Sequence, residues 1–162
     1  KFQYGNIDSY EVRGLQPVFN YTIANVELSS GMTYGFWSTN INNGEAPQFG
    51  TVMDLNNLVS LHFKAQDIRF TLNHRHVGSQ PIYRMRNDEL EISRVQSYNL
   101  IDVSLAKSLL SEKLKLNIGI RNLMDIQAVD VLGGATGGVH STQGRNAVNQ
   151  GRSLFFSLAY RY

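Results

Sequence analysis

Arg152-Ser-Leu-Phe-Phe-Ser-Leu-Ala-Tyr-Arg-Tyr162 alternates to its last residue. Counting back from Tyr162, one face is Tyr162, Tyr160, Leu158, Phe156 and Leu154, and the other is Arg161, Ala159, Ser157, Phe155 and Ser153. Successive strand residues point to opposite sides, so this is a strand with one apolar face and one mostly small or polar face. In water, a strand with a free edge and a smooth apolar face invites aggregation. Against lipid, with aromatic residues near its end, it is an ordinary closing strand of a transmembrane barrel.

The same grammar extends back through the chain. Val26, Leu28, Met32, Tyr34 and Phe36 oppose Glu27, Ser29, Gly31, Thr33 and Gly35; Val59, Leu61 and Phe63 oppose Ser60, His62 and Lys64. Ile68, Phe70 and Leu72 oppose Arg69, Thr71 and Asn73, and from Tyr98 onward Ile101, Val103, Leu105 and Leu109 oppose Asp102, Ser104, Ala106 and Ser108. Leu114, Leu116, Ile118 and Ile120 oppose Lys115, Asn117, Gly119 and Arg121. A helix over Leu105 to Leu116 also fits an i, i+4 spacing, but the alternation on both sides of Ser111 is longer and decides for strands. Between Ile7 and Ile23, Pro17 cannot donate to a ladder, so that strand is bulged or broken there.

Ala24-Asn25, Gln66-Asp67 and Ser111 to Lys113 are short turns, whereas Ser38–Gly50, Gln80–Ser97 and Gly133–Gly151 read as long polar loops. About seven strands joined alternately by short turns and long loops is the habit of outer-membrane barrels, with the short turns on the periplasmic side. The polar faces point the same way: they carry Ser, Thr, Gly, Asn and scattered Arg or Lys rather than the Lys and Glu of a wet sandwich surface. The expected fold class is therefore an all-β, transmembrane antiparallel barrel, with residues 1–162 forming one carboxyl-terminal barrel segment. A complete small barrel of about eight strands, structural or adhesive, and a soluble β-sandwich binding module are the alternatives.

Composition bounds the function. A net charge of +2 without a Lys/Arg cluster gives no footprint for nucleic acid. The absence of Cys removes disulfides and thiol-ligated metal sites. A mean hydropathy of -0.25 is no obstacle to a barrel, whose strands dilute their hydrophobicity by alternation. Lys1-Phe-Gln-Tyr-Gly-Asn has no signal-peptide character, and the chain reads as the last part of a longer polypeptide.

Several short motifs then occur in a familiar order: Val12-Arg-Gly-Leu-Gln16, Leu61-His-Phe63, Asn73-His-Arg-His-Val-Gly-Ser79, Tyr98-Asn-Leu-Ile-Asp-Val-Ser-Leu105, Asn117-Ile-Gly-Ile-Arg-Asn-Leu-Met-Asp125 and Gly151-Arg-Ser-Leu-Phe-Phe156. Together they resemble the carboxyl-terminal barrel of TonB-dependent outer-membrane receptors. Ile120-Arg-Asn-Leu-Met-Asp125 is similar to that family's Asn-Leu-Phe-Asp motif, with Met124 in place of Phe. The Gly-Arg-Ser start of the last strand and its terminal aromatic are similar to the signal read by the barrel-assembly machinery, which here implies Phe156, Leu158, Tyr160 and Tyr162. The resemblance implies a 22-stranded barrel, of which this chain supplies about the last seven strands, behind an amino-terminal plug that contacts TonB. It also implies an outer-membrane location, contact with the bilayer, the plug and the remaining barrel strands, and import of a scarce large solute: a metal chelate, haem, cobalamin or glycan.

No catalytic constellation and no cofactor site emerge. Asp102 and Asp125 fall on separate strands, and Asp54, Asp88 and Glu89 in or beside loops, without the convergence that general acid/base work needs. His74 and His76, at i, i+2 on one strand face, have a spacing that suits a metal, but following Ile68, Phe70 and Leu72 they read as residues of the outer interface. His140 in Gly137-Gly-Val-His-Ser-Thr142 is the better candidate for touching cargo, since loops on a rigid scaffold carry binding. Trp37, Tyr83 and Arg84 are candidates for the mouth, with a girdle role as the plainer reading.

Overall fold

The computed structural model describes residues 9–40, 48–86, 89–133 and 144–162. Twelve strands run through them: β1 (Ser9–Leu15), β2 (Val18–Ile23), β3 (Val26–Asn40), β4 (Gln48–Phe63), β5 (Ile68–Val77), β6 (Gln80–Arg86), β7 (Glu89–Val95), β8 (Tyr98–Leu109), β9 (Leu114–Arg121), β10 (Ala128–Gly133), β11 (Arg145–Ala147) and β12 (Ser153–Tyr160). The protein is all-β and its sheets are antiparallel. One sheet has eight strands in the order β1-β3-β4-β5-β8-β9-β12, with β2 also on β3; a second has four, β11-β10-β7-β6.

β1 and β2 are one strand interrupted at Pro17. Both pair with β3, and the Met32 N–H donates to the Pro17 carbonyl at 3.1 Å, carrying the ladder across the gap. Proline can only accept, so the strand bends there without breaking the sheet. The large sheet is thus seven strand columns wide, as the alternation predicts. Leu109 ends β8 and Leu114 starts β9, so the helical alternative for this segment is not what forms.

Its hairpins are tight, and their turns place ordinary side chains at positive φ: Ala24 at 51°, Asp67 at 53°, and Leu110, Ser111 and Glu112 at 54°, 52° and 67°. Those turns also step regularly. The β4–β5 hairpin closes at Phe63↔Ile68, a pair level with Lys107↔Leu116, whereas β8–β9 closes two residues lower at Leu109↔Leu114. The β2–β3 hairpin closes at Ile23↔Val26, level with Leu61↔Phe70 and hence two residues higher than the β4–β5 closure. The stagger is therefore one residue per strand. A step of roughly 3.3 Å over a spacing of roughly 4.8 Å inclines the strands by about 35° to the perpendicular of the row of turns.

The register also assigns the faces. On one, Leu28, Val59, Leu72, Val103, Ile120 and Leu154 lie in a single line across six strands, as do Val26, Leu61, Phe70, Leu105, Ile118 and Phe156 two residues nearer the turns. Nothing among the described residues covers this face: Leu154, Phe156 and Leu158 are 80%, 66% and 58% exposed. The buried apolar residues, Val77, Val95 and Val129, lie instead at the opposite end from the turns, where β5, β7 and β10 end or begin.

Three loop expectations are corrected. Gln80–Ser97 is not a polar loop but the hairpin β6–β7, whose register sets Arg84 opposite Glu91 and Arg86 opposite Glu89. A ladder needs only backbone groups, so polarity alone did not exclude strands. Within Gly133–Gly151, β11 pairs with β10, while 134–143 lie outside the described residues. Likewise β3 runs on to Asn40 and β4 starts at Gln48, shortening the loop expected over Ser38–Gly50.

Candidate functional site

The face opposite the apolar one carries the polar groups, including Glu27, Ser60, Thr71, Ser104 and Asn117 on successive strands. Small residues keep it low. Phe155 is the one large ring that β12 places there, and a Cβ on Gly119 would come within 2.5 Å of that ring, so the ring fills the space that glycine leaves. The Arg121 guanidinium caps it at 5.1 Å from the ring centre, a cation–π contact. Near the turns this face opens into a cleft of about 570 Å³ lined by His62, Asp67, Arg69, Lys113, Lys115 and Arg161 among others. The Asn117 Oδ1 is a buried acceptor with no partner among the described residues.

At the other end of β9 lies a polar knot. Asn122, 2% exposed, has φ of 51° and Asp125 has φ of 57°, the left-handed region that Asn and Asp tolerate best among side chains. The Asn122 side-chain amide donates to the Ile126 and Gln150 carbonyls at 2.9 and 2.8 Å, and its oxygen accepts the Ile126 N–H at 2.9 Å. Its backbone N–H donates to Asp102 Oδ1 at 2.7 Å. Asp125 Oδ1 accepts the Arg152 N–H at 2.7 Å and the Gln127 amide at 3.2 Å. Those bonds, the Arg152 backbone contact first, then Gln127 and the Arg152 charge, hold the Asp125 carboxyl below the usual carboxylate range against a small opposing effect of burial. A Cβ at Gly151 would approach Asp125 Oδ1 to 3.1 Å, so glycine lets the chain pass the carboxylate as it enters β12.

Asp102 and Asp125 are thus brought to one place, though Asp125 sits in the turn after β9 and not on a strand. Both serve backbone donors. Asp54, on β4 rather than in a loop, does the same for the Gly78 N–H at 2.9 Å. These carboxylates hold structure. Glu89 begins β7, and Asp88 lies outside the described residues.

His74 and His76 fall on the apolar face, in the line of Ile68, Phe70 and Leu72. They belong to a polar chain that crosses it. Ser30 Oγ donates to Asn57 Oδ1 at 2.7 Å, Asn57 Nδ2 lies 3.2 Å from His74 Nδ1, and His74 Nε2 and His76 Nδ1 each lie 3.0 Å from Asn99 Oδ1. Ser30, Asn57 and Asn99 carry no signal in a linear reading, because only the pairing register brings them to the histidines.

Trp37 lies on β3 opposite Val12 and Gly50, and Tyr83 and Arg84 on β6 opposite Ile92 and Glu91. All three are in the part of the molecule away from the short turns, Trp37 on the eight-stranded sheet and Tyr83 and Arg84 on the four-stranded one. His140 lies outside the described residues. No family model, curated protein or solved structure matches this chain.

Proposed function

We propose that this chain is a wall segment of an outer-membrane barrel belonging to a TonB-dependent import receptor, which traps a scarce large solute at its outer loops and passes it inward past a plug. The observation that carries the reading is the uncovered apolar face of the eight-stranded sheet, on which Leu154 is 80% and Ile118 49% exposed, while the only buried apolar side chains among the described residues lie elsewhere. A sheet of this width in water would pack such a face against a second layer. Lipid removes the need for one.

Three further features support it. The strand inclination of about 35° matches the tilt of closed barrels, about 35–45°. The row of turns is short and regular, whereas the opposite end carries extra strands and the long connections. β1 with β2 at one edge and β12 at the other do not pair with each other among the described residues, so the edges call for further strands, which a 22-stranded wall supplies. The polar face is then the lumen lining, the segment's partners are the bilayer, the plug and the remaining strands, and TonB acts through the plug.

Because the chain has no Cys, single-cysteine spin labels test the two faces cleanly. In the purified receptor in bilayers, labels at Leu105→Cys, Ile118→Cys and Leu158→Cys should be relaxed by dissolved oxygen, and those at Ser104→Cys, Asn117→Cys and Ser157→Cys by a water-soluble nickel chelate. Water access to both faces overturns the membrane reading. For transport, uptake of the solute should fall to background when TonB is deleted; uptake that persists leaves a barrel without energised import.

A further inference from the structure

Two imidazole nitrogens aimed at one oxygen form an arrangement that hydrogen bonding alone does not require. His74 Nε2 and His76 Nδ1 each sit 3.0 Å from Asn99 Oδ1, because residues i and i+2 share a strand face and β8 sets Asn99 directly opposite His76. We propose that His74 Nε2, His76 Nδ1 and Asn99 Oδ1 bind a divalent transition-metal ion of the Cu²⁺ or Zn²⁺ class. Imidazole nitrogens select that class, and the lack of a carboxylate among the three donors disfavours Ca²⁺ and Mg²⁺, which need several oxygen ligands. An ion about 2.0–2.1 Å from each nitrogen occupies the space between rings that already converge, with water completing the shell.

A support for the ligand geometry is present as well. A metal-bound histidine usually gives its other N–H to a fixed acceptor. Asn57 lies 3.2 Å from His74 Nδ1; with its amide turned, its oxygen accepts that N–H and its nitrogen donates to Ser30 Oγ, so the chain of bonds survives. Access is open: Asn99 is exposed and borders a cleft of about 350 Å³ that also includes Tyr98, Asp130 and Arg145. His76 lies eight positions along β5 from Ile68, about 26 Å along the strand at roughly 3.3 Å per residue and, at an inclination of about 35°, about 22 Å in height, close to the far edge of a lipid-facing band about 25 Å tall.

The test is Cu²⁺ titration of the full polypeptide in detergent, read by electron paramagnetic resonance, with His62→Gln and His140→Gln introduced because the chain holds four histidines. One ion should bind with the splitting of two imidazole nitrogens. His74→Gln and His76→Gln should each weaken it about tenfold or more, and Asn57→Leu, which removes only the supporting acceptor, by about tenfold. Circular dichroism of each variant confirms the strand content. Binding unchanged by either histidine substitution, or a spectrum with fewer than two nitrogens, shows that the polar chain is only a hydrogen-bonded seam and overturns the proposal.

Discussion

Replacing Asn122 by Ala leaves the Ile126 N–H and the Ile126 and Gln150 carbonyls without these partners in a part-buried place. At about 1–3 kcal/mol for each buried group left unpaired, part of it recovered by water, the expected loss is on the order of 3 kcal/mol, measured as a lower denaturant midpoint. Asp125 adds a pH signature. Its carboxyl is held below the usual range in the folded state, so its contribution is present above the unfolded-state value and is lost as pH falls through the folded-state value. The stability difference between the native chain and Asp125→Asn should be full at neutral pH and vanish at acid pH; a difference that persists there removes the carboxylate from the account. At this scale the sequence was half legible. Ile120 to Asp125 stood out as a motif, and the structure gives its Asn and Asp a reason in positive φ and in hydrogen bonds to the backbone, buried for Asn122 and exposed for Asp125. Asn99 and Asn57 were invisible, since their meaning lies in residues tens of positions away.

Strands were readable where one face is apolar and unreadable where neither is. β8, β9 and β12 follow their alternation, and Pro17 marks the interruption between β1 and β2. β6 and β7 escaped because their ladder is built from backbone groups beneath charged side chains, so composition pointed to a loop. The pairing of β9 with β12 makes its own prediction. Gly119→Ala places a methyl 2.5 Å from both the Phe155 ring and the Val103 carbonyl, an overpacking worth about 1–3 kcal/mol. Adding Phe155→Ala should recover part of that loss in a double-mutant cycle, because the ring yields where the backbone carbonyl does not.

At the scale of the molecule, the apolar face, the inclined strands and the open edges are properties of the sheet as a whole. Alternation shows which residues share a face, but only the pairing shows that the hairpins descend by one residue per strand. The site was least legible here: His140 falls outside the described residues, and Trp37 lies on a different sheet from Tyr83 and Arg84.

The regular descent of the hairpins carries a hazard during assembly. A strand that slips by one residue turns its apolar side to the wrong face and is rejected at once, but a slip of two restores every face, and only particular partners, such as Phe155 over Gly119, oppose it. For β12 the error would put Ser157 opposite Lys115 instead of Asn117. The Asp125 bond to the Arg152 N–H adds a second mark at the start of β12, because it exists in one alignment only. With Asp125→Ala, cysteine pairs should trap a fraction of chains at 157–115 as well as 157–117, whereas the native chain should yield the second crosslink alone.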